Sequence, residues 1–345
     1  MNKRIIKKQV VGVLVLIAWL QISCVDSFLP EERDAYDRDA TFTTTVWQPI
    51  LGKTSFLTET FNFGNATLPL TFEIQNMRHA DGTPAPELEA YYPVRVWKKP
   101  YLGTEKTIKE IEEKRGIEYR RLFDIRKHSG EFIMWSEANS EIVRCQPDSG
   151  YVFDVLASNS GGYKYTTRMR LMPRREREFE PNIYDEVTGI PTAEYVNPDD
   201  ILMRDKNSQV YYSIENVYIY FQKDLNSQDE HNTLTFQFFD KDWNVISPQQ
   251  FNETNWNKLV HGFLNEITDE YVKYDVVYPM PLFDGMQTQY TNATGDRAHI
   301  SLRASFIERY MRRTAYMDFD FAIYKEGHWK IIFYFAAGTP QLGNE

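Results

Sequence analysis

Asp240-Lys241-Asp242-Trp243-Asn244 is the stretch where residue type and spacing come nearest to chemistry. Oxygen-bearing side chains at alternate positions imitate the opening of a calcium loop. Val245, however, stands where the sharp turn needs glycine, and Phe251 stands where a bidentate glutamate would close the shell. What remains is an indole flanked by the Asp242 carboxylate and the Asn244 amide. Sugar recognition uses that grouping, a flat apolar face for C–H stacking beside hydrogen-bonding groups. Trp329, next to His328, is the second candidate of this kind. In both places the competing reading is a ring that covers the edge of its own sheet.

Other constellations fail on spacing. His79, His128, His231, His261, His299 and His328 are scattered, without a His-Glu-x-x-His pair or a Cys/His cluster, so no metal ligand set and no cofactor is expected. Gly52-Lys53-Thr54 lacks the upstream glycine of a phosphate loop, and the Gly-x-Ser-x-Gly elbow of esterases is missing. A glycosidase needs only two carboxylates roughly 5 to 10 Å apart. A chain with 49 acids cannot be judged on that ground, and Glu137, beside Trp135, is the nominee, against the plainer reading of a strand-end acid in solvent. No catalytic residue is assigned, and a non-catalytic protein is expected.

The address is more legible. Lys3, Arg4, Lys7 and Lys8 precede an apolar run from Val10 to Leu20, the pattern of a secretory leader and too short for a spanning helix of roughly 20 residues. Gln21-Ile22-Ser23-Cys24 resembles a bacterial lipobox, with a small residue before the cysteine and a departure at Gln21, where leucine is usual. Cys24 is therefore expected to carry lipid, which leaves Cys145 a lone thiol without a disulfide framework. Removing residues 1–23 takes away four positive and no negative charges, so the formal charge goes from −10 to −14. Nucleic acid is a poor partner for such a chain.

The elements that must hold these residues read as mainly β. Residues 24–40 form an acidic tether. Residues 41–172 form an immunoglobulin-like antiparallel sandwich of short strands, interrupted by one helix capped by Thr107 and Glu110 and ended at Gly116. Residues 173–209, with four prolines, read as an interdomain linker. In it Arg174, Arg175 and Arg177 could grip a sulfate or sugar acid, but the interleaved glutamates explain them as paired surface charge. Residues 210–345 form a second antiparallel sandwich, with hairpins closed at Asp240–Asp242 and Lys325–Gly327. One amphipathic helix is expected there, with Trp256, Leu259, Val260, Phe263 and Leu264 on its buried stripe.

Asn65-Ala-Thr-Leu-Pro-Leu-Thr-Phe-Glu-Ile, Pro147-Asp-Ser-Gly-Tyr-Val-Phe-Asp-Val with Ser158-Asn-Ser-Gly-Gly, and Tyr274-Asp-Val-Val-Tyr-Pro-Met-Pro-Leu resemble an uncharacterised lipoprotein family of the Bacteroidetes, domain of unknown function 5007. The resemblance covers nearly the whole mature chain and carries over no catalytic residue. It implies a context: accessory lipoproteins of the outer membrane, at the cell surface, beside starch-utilisation-type transporter complexes that take up polysaccharide. Ser158-Asn-Ser-Gly-Gly is also similar to immunoglobulin-like modules of surface glycan-binding proteins. The expected partners are thus the outer membrane through a lipid anchor, a polysaccharide and a transporter complex. A structural or adhesive envelope protein is the alternative, and a glycan-active enzyme the third reading.

Overall fold

A computed structural model describes residues 34–343. Cys24, the leader and most of the acidic stretch lie outside the described residues. The fold is mainly β, with two short α-helices among the described residues, Pro86–Glu89 and Ile108–Glu112. No described helix is long and apolar enough to cross a membrane.

In the first half, Val46–Trp47, Gly162–Leu171, Tyr151–Asn159 and Thr71–His79 form a four-stranded sheet in that order. Against it packs a three-stranded sheet, Ser55–Leu57, Phe132–Met134 and Phe123–Ile125. The rings of Phe123 and Phe132 stack at 5.4 Å, and both meet Phe153 of the larger sheet edge-on, at 5.5 and 5.7 Å. Such aromatic contacts contribute about 1 kcal/mol each beyond burial. On Tyr151–Asn159, Tyr151, Phe153, Val155 and Ala157 are buried, as alternation requires. Asp154 is buried too, and its position explains it. Both flanking strands bulge next to this residue, at Asn76 (φ +52°), opposite Phe153, and at Arg168 (φ +59°), opposite Asp154 itself. The Asn76 amide donates to one Asp154 oxygen at 2.9 Å, and the Arg168 backbone N–H donates to the other at 2.8 Å. One carboxylate thus clasps two bulges.

In the second half, five strands run in the order Val217–Lys223, His328–Phe335, Thr233–Phe239, Tyr271–Val276, Gly262–Ile267. The central pair, His328–Phe335 with Thr233–Phe239, is parallel, so the sandwich is mixed and not wholly antiparallel. Its other layer is the hairpin Ala298–Glu308 and Met311–Ile323. Phe236, Phe238, Phe319, Phe321 and Phe333 fill the space between.

Four expectations change. Residues 173–209 are not a free linker. Phe179–Glu180 and Asp200–Leu202 both pair with Met311–Ile323, and Phe179 and Met203 enter the second core, so the apolar residues among those prolines fasten the stretch as an edge. Lys325–Gly327 does not close a hairpin; it carries the chain from one sheet to the other, because Met311–Ile323 and His328–Phe335 belong to different layers. The amphipathic helix is replaced by a 3-10 turn at Trp256–Lys258 and a strand at Gly262–Ile267. Gly262 disfavours a helix by about 1 kcal/mol, and the edge of Tyr271–Val276 offers a ladder instead. The acidic stretch, finally, is tied down from Asp34 onward, with Ala40 in the first core.

Thr107 caps the helix Ile108–Glu112 as expected, accepting from the Glu110 N–H at 3.1 Å. Gly116 lies beyond the helix end, inside the strand Arg115–Arg120. That excursion joins the two halves. Tyr101 and Ile111 pack against Val277 and Leu282, and the Tyr101 hydroxyl meets His261 Nδ1. His261 is stacked on Tyr290 at 4.9 Å, with Nε2 at 3.2 Å from the Glu105 carbonyl oxygen.

Candidate functional site

Trp243 stands in a turn that its neighbours build for it. Its φ of +60° is left-handed, a conformation that costs a non-glycine residue about 1 kcal/mol. Asp240 holds it there. This buried carboxylate accepts the backbone N–H groups of Asp242 and Asn244, both at 2.9 Å, the Asn244 amide at 3.1 Å and the Thr339 hydroxyl at 3.0 Å. Burial pushes the Asp240 carboxyl up, but these hydrogen bonds outweigh it and hold the group below the usual carboxylate range. The Asn244 side chain is therefore spent on the turn, and Asp242 lies beside Lys241 at 3.4 Å. The indole is presented outward, 55% exposed, beside the exposed Asp242 carboxylate.

It does not stand alone. The outer face of the five-stranded sheet carries a row of rings. Tyr195 stacks on Tyr218 at 4.0 Å, Tyr218 faces Tyr334 at 5.9 Å, and Tyr334 stacks on Trp243 at 4.5 Å. Tyr220 lies within 6.4 Å of Trp243, and Phe239 within 5.5 Å. The register explains the row. Tyr218 and Phe239 flank Tyr334 directly on the neighbouring strands, and Tyr220 follows Tyr218 at the two-residue period that keeps one face. Alternating tyrosines at 218 and 220 were the available sequence signal for this row; Tyr195, in the stretch read as linker, gave none.

Trp329 is a different case. It is 2% exposed, its indole N–H donates to the Lys325 carbonyl at 2.9 Å, and its ring packs on Phe179. It shares the inward phase of Ile331, Phe333 and Phe335, so it is core and presents no face to a ligand.

A cleft of about 1220 Å³ lies between the halves. Its charges are matched across it: Lys53 meets Asp284 at 3.1 Å and Arg95 meets Glu326 at 2.6 Å. Arg115 donates to the Tyr278 carbonyl at 3.0 Å, its guanidinium 4.7 Å from the Trp97 ring centroid. Glu137 lines this cleft and accepts the Arg95 backbone N–H at 2.8 Å and the Ser136 hydroxyl at 3.2 Å. Two of the three arginines at 174, 175 and 177 are paired, though not with their interleaved neighbours: Arg174 with Glu186, and Arg177 with Glu180 at 3.5 Å. Glu178 turns instead to Lys325 at 3.2 Å. Among the described residues no three His, Cys, Asp or Glu side chains gather as metal ligands, and Cys145 is a buried free thiol.

The family model described as Domain of unknown function (DUF5007) matches residues 61–344. No curated protein and no solved structure matches the chain.

Proposed function

The chain belongs to the DUF5007 family, and on that premise we propose that it is a non-catalytic surface lipoprotein that binds an extended polysaccharide on the outer face of its five-stranded sheet. The row Tyr195, Tyr218, Tyr334, Trp243 is the observation that carries this reading. Sugar rings present patches of C–H bonds, and aromatic side chains set along a sheet suit a chain of such rings better than a single small molecule in a closed pocket. The backbone strain at Trp243 supports the same reading, because an unfavourable conformation is retained where the side chain it orients has a use. The leader and the Cys24 lipobox support anchorage to the outer membrane, where polysaccharide would be met before uptake by a transporter complex.

Isothermal titration of the chain against a panel of soluble polysaccharides tests the proposal. Binding to at least one of them is expected, with a loss of tenfold or more in affinity in Trp243→Ala and in Tyr334→Ala. Binding to none, or binding that both variants retain, overturns it.

A further inference from the structure

The described chain begins at a corner that is built to hold it. The Asp34 carbonyl oxygen lies so close to Gly161 that a Cβ there would stand 1.8 Å from it, and the Ser160 hydroxyl donates to the Asp34 carboxylate at 2.5 Å. Ala35 N–H donates to the Thr67 hydroxyl at 2.9 Å, and the Asn159 amide spans the Ala35 and Thr67 carbonyl oxygens at 3.1 and 3.0 Å. Lys164 donates to the Ala40 carbonyl at 2.8 Å. The entry point of the chain is thus fixed on the turn that ends Tyr151–Asn159 and on the loop before Thr71.

That corner presents three large apolar or aromatic side chains among exposed polar residues such as Arg38, Asp39 and Asn65. Tyr163 is 70% exposed, Tyr165 50% and Leu68 60%. The two tyrosines point to one side of their strand, ring centroids 5.8 Å apart, and Tyr165 lies opposite the half-buried Leu156. Ten residue-to-residue steps separate Cys24 from Asp34, a length that reaches about 36 Å at most. An acyl group on Cys24 therefore keeps this corner, before any other part of the fold, within reach of the bilayer. Tyrosine is an interfacial side chain, with a ring that favours the edge of the hydrocarbon and a hydroxyl that stays among the headgroups.

We propose that Tyr163, Tyr165 and Leu68 form a contact surface for the lipid headgroup layer, which sets the orientation of the fold on the membrane that holds Cys24. The proposal rests on the acylation of Cys24. The position where the chain enters the fold, and the short stretch before it, select a lipid surface over a soluble partner.

The test uses the full acylated chain in vesicles of phosphatidylethanolamine and phosphatidylglycerol, with and without brominated phosphatidylcholine. Tyr163→Trp is compared with the parent and with Tyr211→Trp, a position 64% exposed on the other half. Radiolabelled palmitate measures acylation in the same preparations. Expected is bromolipid quenching of the added fluorescence at position 163, at least twice that at position 211. Label present with equal quenching at both positions overturns the proposal alone. Protection of position 163 from acrylamide without bromolipid quenching also overturns it, in favour of a protein or glycan occupant. Absence of label from the parent overturns the acylation reading and this proposal with it.

Discussion

The indole of Trp243 lies on the ring of Tyr334 at 4.5 Å, and the hydroxyl of the same tyrosine donates to the Lys241 carbonyl at 2.8 Å, inside the turn that carries the tryptophan. Each residue therefore fixes the other. The ring pair sets the edge of the aromatic row, and the hydrogen bond ties the turn to a central strand. The turn is a rigid mount for an exposed ring, the arrangement that a recognition surface requires.

Replacing that ring separates binding from stability. Trp243→Gly relieves the left-handed backbone, worth about 1 kcal/mol, while it forfeits a ring contact of similar size. We expect a melting temperature close to the parent's together with loss of polysaccharide affinity, measured by differential scanning calorimetry and titration. A large fall in melting temperature would show that the row is a structural prop.

Trp329→Ala should do the reverse. Removing a fully enclosed indole leaves a cavity and costs about 3–5 kcal/mol. Urea denaturation should show that loss, and a variant as stable as the parent would contradict the placement of Trp329 in the core.

Asp154→Ala removes the buried acceptor shared by Asn76 and Arg168 and should cost about 1–2 kcal/mol, because two hydrogen bonds to one carboxylate are lost at once. Hydrogen exchange of the Arg168 amide reports the effect directly. Unchanged protection there would sink the idea of a clasp.

Acid should loosen the joint between the halves in two steps. Burial pushes the His261 imidazole down, against the opposing pull of Glu105, so its contribution is present above the ordinary value near 6.5 and is lost as pH falls through and below it. Glu105 behaves as a depressed carboxylate. Burial raises it, but Lys114 and the Leu102 backbone N–H outweigh this and bring it to about 2. Its contribution, about 3 kcal/mol at most, is present above roughly pH 4.5 and is lost as pH falls toward 2. Melting curves from pH 7.5 to pH 3 should show both losses. His261→Phe should flatten the first and Glu105→Gln the second; equal slopes in all three proteins would remove these groups as the cause.

Strands were legible where alternation and turn residues agree. Tyr92–Trp97, Thr233–Phe239 and His328–Phe335 have the bounds that their sequence suggests. Partner choice was not legible, because it depends on residues far apart in the chain. Lys325-Glu326-Gly327 has the chemistry of a hairpin turn, yet the strands it joins lie in different layers. The stripe from Trp256 to Leu264 has helical spacing, but Leu259 and Val260 reach the core from a turn instead. Trp243 and Trp329 looked alike as tryptophans beside turns. The apolar phase of 329, 331, 333 and 335 already distinguished them, since it turns Trp329 inward. Asp154 gave no local sign of its role, which exists only once two other strands lie beside it.

The parallel pair at the centre of the five-stranded sheet also sets an order of events. His328–Phe335, the last strand of the described chain, lies between Val217–Lys223 and Thr233–Phe239, so neither inner edge has its neighbour until the C-terminal residues arrive. Contacts this distant in sequence are slow to form. The second half therefore stays unclosed until His328–Phe335 has joined, which makes it the late-folding portion.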